Sequence, residues 1–117
     1  MSDVRTEDAP ANDQGARGNP QGSFIWYELM TTDAAAAKRF YDPVVGWSVG
    51  TDQVAPDVNY RMINRSDGGM AGGLLQLTRE MQDGGARPMW LGYLHAADVD
   101  AKVDEIKADG GQVMMAP

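Results

Sequence analysis

Two copies of one helix signature constrain the fold of this chain more than any other feature. Asp33 is followed thirteen residues later by Gly46, and Asp98 is followed thirteen residues later by Gly111. Aspartate is a favoured helix N-cap and glycine is favoured just beyond a helix C-terminus, so each pair delimits one helix. Each aspartate follows an apolar segment, and each glycine precedes another one. The chain therefore predicts two related strand–helix–strand units.

Short apolar segments surround both helices. One of them predicts a strand at 24–30, before the first helix, and three after that helix predict strands at 47–51, 58–64 and 70–78, separated from one another by turns that contain Pro, Asp and Gly. Two more strands are predicted beside the second helix, at 89–96 and 112–115. Gly72 and Gly73, inside one of these runs, indicate a bulge or a close backbone approach. Apolar helical spacing places Phe40 and Tyr41, together with Trp47, in the predicted core.

These segments divide the chain into modules. We assign residues 23–78 to a first module and interpret the polar, glycine-bearing segment 79–88 as a linker. The second module, residues 89–117, lacks two strands' worth of sequence relative to the first, so it is incomplete in this chain. Either the chain is truncated or another chain supplies the missing strands, because a repeated unit of this kind cannot cover its own apolar face.

The first 22 residues have a different composition. Charged residues, Pro and Gly dominate, and only Met1, Val4 and three alanines carry apolar side chains. Such a segment buries too little apolar surface to offset the entropy of ordering it, so residues 1–22 are predicted to be a disordered tail. Because its start has no apolar signal core, we expect a cytoplasmic protein.

Composition and charge exclude several classes of partner. The chain has 10 Lys and Arg against 17 Asp and Glu, a net charge of −7, and therefore lacks the basic footprint that nucleic acid requires. No apolar run reaches the roughly 20 residues of a membrane-spanning helix. Without cysteine there is no disulfide, thiolate zinc site or cysteine nucleophile. We expect a small molecule as the partner, not nucleic acid or a membrane.

The opening of each predicted module resembles a known family. The stretch WYELMTTD at 26–33, followed by AKRFY at 37–41 and VGW at 45–47, is similar to the first module of the glyoxalase/bleomycin-resistance/extradiol dioxygenase superfamily, also called vicinal oxygen chelate. DVDA at 98–101, with Gly-Gly at 110–111, is similar to the start of its second module. The resemblance implies an α+β fold in which paired βαβββ modules form a curved mixed sheet around a pocket.

The resemblance also implies where a metal would bind. Family enzymes hold a divalent metal through His or Glu at four strand positions, and the metal polarises substrate oxygens. Three positions correspond to Trp26, Gln76 and Leu91, and the fourth lies in the missing strands. Tryptophan and leucine cannot coordinate a metal and a glutamine amide is a weak ligand, so we expect no metal and no other cofactor. A metal held by Glu28, Gln76 and residues beyond position 117 stays open as an alternative.

Strand alternation predicts which side chains line the pocket that the resemblance implies. Three rows of alternate residues are expected to face it: Trp26, Glu28 and Met30; Leu74, Gln76 and Thr78; Leu91, Tyr93 and His95. From these rows we select the predicted ligand-binding residues: Trp26, Glu28, Met30, Gln76, Leu91 and Tyr93. An aromatic and apolar lining with a few polar groups is typical of a small-molecule site.

Two residues of these rows are candidate catalytic groups. A carboxylate on an inward face is costly unless it is paired, so Glu28 is a candidate general base or ligand anchor. The structural alternative for Glu28 is a salt bridge to Arg61 or Arg39, or exposure at a strand end. His95, the one histidine, could exchange protons near neutral pH, or could simply contact solvent at a strand end.

Three functions remain open from the sequence. The first is a metal-free binding protein for a small, partly aromatic molecule, as in the antibiotic-sequestering branch of the family, whose acidic members favour cationic drugs. The second is a lyase or isomerase related to glyoxalases that uses Glu28 as general base, with or without a metal. The third is a module that assembles through its open sheet edges. We expect the chain to form a homodimer.

Overall fold

The computed structural model describes residues 18–117, so residues 1–17 of the predicted tail, which was placed at 1–22, lie outside the described residues. Over the described range no helix is long and apolar enough to cross a membrane. The elements, in chain order, are β1 (Phe24–Thr31), α1 (Ala34–Val45), β2 (Ser48–Val49), β3 (Tyr60–Asn64), β4 (Met70–Gln76), α2 (Arg79–Asp83), β5 (Met89–Leu94) and α3 (Val99–Ala108).

The five strands form one mixed sheet in the order β2-β3-β4-β1-β5. Strands β1 and β4 are parallel, while β3 runs antiparallel to both β2 and β4. The sheet is curved and does not close into a barrel. These features confirm the predicted α+β class and the curved mixed sheet.

Contacts divide the chain into two compact units. One unit is Trp26–Tyr93 and holds most of the sheet with α1 and α2. The other joins residues 18–25 with Leu94–Pro117 and holds α3. Each unit is described separately below.

Helix α1 begins and ends where its local sequence predicts. The Asp33 carboxylate accepts a hydrogen bond from the backbone N–H of Ala36 at 3.0 Å, which satisfies one of the free donors of the first turn. Gly46 follows the last turn with a φ of 85°, a left-handed conformation that glycine adopts without steric cost. Its N–H donates to the Asp42 carbonyl at 2.8 Å. Both predicted boundaries of this helix are confirmed.

The core of the larger unit lies between α1 and one face of the sheet. Its buried members come from β1, β2, β3, β4 and the start of α1: Leu29, Ala34, Val49, Ile63 and Leu74. Tyr41 and Trp47 pack against this core as predicted. Phe40 does not, because it lies about 100° around the helix from Tyr41, and its side chain is 56% exposed. The prediction that Phe40 is a core residue was wrong.

In the smaller unit, α3 repeats the N-terminal cap of α1. The Asp98 carboxylate accepts from the Ala101 N–H at 3.0 Å, as predicted. At the other end, the Gly111 N–H donates to the Ile106 carbonyl at 2.7 Å and Gly110 has a φ of 93°. The second copy of the helix signature therefore specifies a helix, as the first copy does.

Two predicted segments differ from the structure. The segment 79–88, interpreted as a linker, contains the short helix α2, whose first turn is capped by the Thr78 hydroxyl accepting from Met81 N–H at 3.1 Å. The strand predicted at 112–115 is not formed: Met114 and Met115 are 86% and 88% exposed, and no strand in residues 18–117 pairs with them. A strand needs a neighbouring strand to satisfy its backbone, and propensity alone does not supply one.

Candidate small-molecule site

The register between β1 and β4 decides which residues share a face with Glu28. Glu28 lies beside Gly73, and Leu29 lies beside Leu74. Leu29 and Leu74 both belong to the core under α1, so Glu28 and Gly73 lie on the opposite face of the sheet. We call this the Glu28 face.

The prediction that Leu74, Gln76 and Thr78 form a row on the Glu28 face was therefore wrong. Leu74 is buried in the core, and Thr78 lies beyond β4 as the N-cap of α2. The error is a shift of one residue in β4, and such a shift exchanges the two faces of a whole strand. Sequence alternation fixes which residues of one strand share a face, but it does not fix the pairing between strands.

Gly73 leaves the space through which Tyr60 reaches Glu28. Tyr60 lies on β3 and Glu28 lies on β1, with β4 between them. A Cβ atom built on Gly73 would clash with the Tyr60 hydroxyl and ring. The Tyr60 ring therefore passes over β4 at Gly73, where no side chain obstructs it.

Four side chains from three strands form a connected hydrogen-bond group. The Trp26 indole Nε1–H donates to the Tyr60 hydroxyl at 2.9 Å, and that hydroxyl donates to Glu28 Oε1 at 3.1 Å. The Tyr93 hydroxyl donates to the same Glu28 oxygen at 3.3 Å. We call Trp26, Glu28, Tyr60 and Tyr93 the Glu28 cluster. It brings together three residues that the sequence analysis selected for one site.

Tyr60 is the member of the cluster that sequence reasoning missed. It falls in the strand predicted at 58–64, but it contacts Glu28 only because of the register of β3 and β4 and the glycine at position 73. The available signal was the Gly72–Gly73 pair, interpreted as a bulge or close approach. That close approach is confirmed at Gly72, where a Cβ would clash with the Tyr27 backbone, while at Gly73 the approaching group is a side chain.

Burial and charge both act on the two phenols of the cluster. Burial raises the pKa of Tyr60, the indole hydrogen bond from Trp26 opposes that shift, and the Glu28 carboxylate adds to it. Burial also raises the pKa of Tyr93, followed by the charge of and hydrogen bond to Glu28. Both hydroxyls therefore stay protonated at neutral pH and act as hydrogen-bond donors.

The remaining predicted residues of the larger unit have separate places. Met30 is half-buried on β1 beside Leu75, two residues from Glu28 and on the same face. Leu91 is 36% exposed on β5, two residues from Tyr93. The Gln76 amide is engaged at the start of α1, where Oε1 accepts from the Ala34 N–H at 2.7 Å and Nε2 donates to the Thr32 carbonyl at 2.6 Å.

His95 belongs to the smaller unit and is not part of the Glu28 cluster. Its backbone N–H donates to the Ser23 carbonyl, and its carbonyl accepts from the Gly22 N–H, both at 2.8 Å. It lines a cavity of about 370 Å³ that is mostly apolar, with Lys102 at its margin. The apolar wall comes from the strand end and one face of α3: Leu94, Val99, Val103 and Ile106.

The positions at which the resemblance implies metal ligands do not fit a metal. The Trp26 ring nitrogen is a donor engaged by Tyr60, the Gln76 amide oxygen accepts from the helix backbone, and Leu91 has no ligand atom. Among residues 18–117 no three His, Cys, Asp or Glu side chains are grouped to hold an ion. The side chains at these three positions therefore do not match the His and Glu ligands of the family's metal enzymes.

Comparisons with known proteins agree with the fold. Residues 23–117 match the sequence model of the Glyoxalase/Bleomycin resistance protein/Dioxygenase superfamily. Two curated relatives, from Mycobacterium bovis and Mycobacterium tuberculosis, are provisionally named glyoxylase CFP32. Each is 34% identical over 95 residues, which is 81% of this chain and 36% of the relative. The chain thus spans about a third of the length of the curated relatives it matches.

Solved structures show a similar architecture. Two variants of the methylmalonyl-CoA epimerase of Streptomyces coelicolor, each in complex with 2-nitronate-propionyl-CoA, give TM-scores of 0.55 and 0.54 at 23% identity. The similarity covers 82% of this chain and 77% and 75% of the two epimerase chains. At this identity the likeness establishes the fold alone. With the match over residues 23–117, it follows that this chain is a member of the Glyoxalase/Bleomycin resistance protein/Dioxygenase superfamily.

Proposed function

We propose that this protein binds a small, partly aromatic molecule on the Glu28 face of its sheet, without a metal ion. The Glu28 cluster carries this proposal. Both phenol hydroxyls of the cluster donate to Oε1 of Glu28, so neither of them uses Oε2. The second carboxylate oxygen is thereby left for a ligand, beside the aromatic rings of Trp26 and Tyr93.

The ligand class follows from charge. The chain has a net charge of −7, and Glu28 adds a carboxylate at the site itself. Aromatic rings attract cations through their negative faces, and a nearby carboxylate reinforces that attraction. A small organic cation with an aromatic group is therefore the best match to this face.

The experiment is isothermal titration calorimetry with benzyltrimethylammonium as the probe. Benzyl alcohol and phenylacetate serve as neutral and anionic counterparts of similar size. We expect the cation to bind most tightly, and Glu28→Gln to weaken it by about tenfold or more. Glu80→Gln, which removes the same charge from the exposed first turn of α2, should leave binding unchanged. Equal binding of all three probes, or equal loss in both variants, would contradict the proposal.

A second candidate is proton transfer by Glu28 as general base, in an isomerase or lyase. Two observations favour it: Oε2 takes neither phenol hydrogen bond, and the fold resembles an epimerase, an enzyme that moves a proton. The probe is methylmalonyl-CoA in deuterated buffer, followed by proton NMR. Deuterium incorporation that is lost in Glu28→Gln and kept in Glu80→Gln would support the enzyme. No incorporation above the rate in buffer alone would rule out this substrate.

A further inference from the structure

We propose that Tyr60, held by Trp26 and given room by Gly73, is a positioning residue that orients the Glu28 carboxylate so that Oε2 faces the ligand. This inference rests on the proposed function, since it assigns a purpose to the geometry of the same site. Tyr60 itself acts through Glu28 and is not placed against the ligand.

The direction of the hydrogen bonds follows from the chemistry of the donors. An indole N–H can only donate, so the Tyr60 oxygen accepts from Trp26 at 2.9 Å. A phenol hydroxyl has one hydrogen to donate, and the remaining partner of the Tyr60 hydroxyl is Glu28 Oε1 at 3.1 Å. Trp26 therefore occupies the acceptor side of the hydroxyl and turns its hydrogen toward the carboxylate. Both hydrogen bonds therefore point the same way, from Trp26 to Tyr60 and from Tyr60 to Glu28.

Tyr60 is the better placed of the two phenols to orient Glu28. It is half-buried and fixed at both sides of its oxygen, by the indole and by the carboxylate. Tyr93 is 43% exposed and lies 3.3 Å from the same Oε1, with no second partner for its hydroxyl among the described hydrogen bonds. A hydroxyl with two hydrogen-bond partners rotates less freely than a hydroxyl with one. Tyr60 therefore has more influence than Tyr93 on the orientation of the Glu28 carboxylate.

Gly73 makes this arrangement sensitive to a single methyl group. The residue is buried in β4, and a Cβ at this position would clash with the Tyr60 ring and hydroxyl. Alanine at position 73 would therefore displace the ring from Glu28 while leaving every polar group of the cluster in the sequence. This offers a way to remove the contact without removing the hydroxyl.

The test measures the χ1 and χ2 rotamers that place the Glu28 carboxylate. In protein labelled with carbon-13 at glutamate, three-bond couplings report the rotamer populations of the Glu28 side chain, without any ligand. We expect one rotamer in the wild type, averaged rotamers in Tyr60→Phe and in Gly73→Ala, and one rotamer in the matched control Tyr93→Phe. Faster hydrogen exchange of the Trp26 indole N–H should accompany the averaging. Affinity for benzyltrimethylammonium should fall about tenfold in Tyr60→Phe and Gly73→Ala, and less in Tyr93→Phe.

The outcomes separate the possible roles. A Tyr60 that only stabilises the fold would lower the melting temperature of Tyr60→Phe but leave its Glu28 couplings and probe affinity unchanged, which would overturn the inference. The inference would also be overturned if Tyr93→Phe averaged the Glu28 rotamers as much as Tyr60→Phe does. Tyr60→Phe removes one atom, so it remains informative if Gly73→Ala does not fold. If the wild type binds no probe while the couplings behave as expected, the proposed function fails and the orienting contact remains.

Discussion

The side-chain oxygen of Gln76 accepts a hydrogen bond from the backbone N–H of Ala34 at 2.7 Å, joining the end of β4 to the first residue of α1. The first N–H groups of a helix have no partner within the helix, and Ala34 is only 2% exposed, so water cannot easily replace Gln76. The Gln76 amide nitrogen also holds the Thr32 carbonyl at 2.6 Å. A residue selected from the sequence as a ligand contact thus has a structural task at the helix start.

Replacing Gln76 with leucine should therefore destabilise the protein. The change keeps the size of the side chain but leaves the Ala34 N–H without its partner, which costs about 1–3 kcal/mol of unfolding free energy. Urea denaturation followed by circular dichroism measures it. Gln112→Leu, in the exposed segment after α3, is the control and should change stability by less than about 0.5 kcal/mol. If Gln76→Leu unfolds at the wild-type urea concentration but binds the probe more weakly, the ligand-binding prediction for Gln76 is favoured.

A second prediction concerns acid stability. Asp42 accepts from Lys38 Nζ and, at 2.9 Å, from the Val49 N–H, so it joins α1 to β2. Burial alone would raise the pKa of Asp42, but the hydrogen bonds from Lys38 and Val49 outweigh it and hold this pKa below its ordinary value of 3.8. The ionised Asp42 carboxylate therefore stabilises the fold fully above pH 3.8, and this contribution disappears as the pH falls through the lowered pKa of Asp42.

Urea midpoints measured between pH 7 and pH 2 test this prediction. Asp42→Asn should be about 1 kcal/mol less stable than the wild type at pH 7 and should lose less stability on acidification. Asp104→Asn, on the exposed surface of α3, should follow the wild-type profile. Parallel profiles for the wild type and Asp42→Asn would show that this carboxylate does not contribute to the acid dependence.

A third prediction concerns alkaline pH. The pKa values of Tyr60 and Tyr93 are raised, first by burial and then by Glu28, so both phenols stay protonated above the ordinary value of 10.0. A raised pKa in the folded state means that the stabilisation is complete below pH 10 and is lost as the pH rises through the folded-state value. The protein should therefore lose stability in the alkaline range.

Ultraviolet titration of the phenolate absorption measures this directly. Tyr60→Phe and Tyr93→Phe should each remove one late-titrating phenol. Glu28→Gln should move both titrations only part of the way back toward pH 10, because burial, the largest cause, remains. Glu80→Gln is the matched control for the lost charge. Titrations in Glu28→Gln that coincide with the wild type would show that the carboxylate does not act on these phenols.

A fourth prediction concerns metal content and assembly. We expect native mass spectrometry to show a homodimer whose mass does not increase with added Ni²⁺, Zn²⁺ or Mn²⁺, because the positions of Trp26, Gln76 and Leu91 provide no suitable ligand set. One metal ion per chain that is lost in Glu28→Gln would contradict this expectation and favour the metal-assisted enzyme. A single-chain mass would contradict the homodimer.

The helix boundaries could be predicted from the sequence because capping is local. Asp33 and Asp98 each accept from a backbone N–H three residues later, and Gly46 adopts a left-handed conformation that its own chemistry permits. These interactions depend on residues within one helical turn, so the same signature specified the helix in both copies. The α+β class followed from the order of such segments.

The candidate site could be predicted only in part. Alternation along β1 correctly placed Trp26 and Glu28 on one face, and both belong to the Glu28 cluster with Tyr93. Tyr60 lies 32 residues from Glu28 in sequence, and no local pattern indicates that contact. The strand predicted at 112–115 failed for a related reason, since a strand exists only where a neighbour accepts its hydrogen bonds.

The sequence by itself thus determined the helices with their caps and the alternating faces of each strand, because these depend on neighbouring residues and on the fixed geometry of the backbone. Only the tertiary structure decided the register that sets Glu28 beside Gly73, turns Leu74 into the core and lets Tyr60 cross β4. Register is a property of two strands together, and a shift of one residue exchanges the buried and the open face.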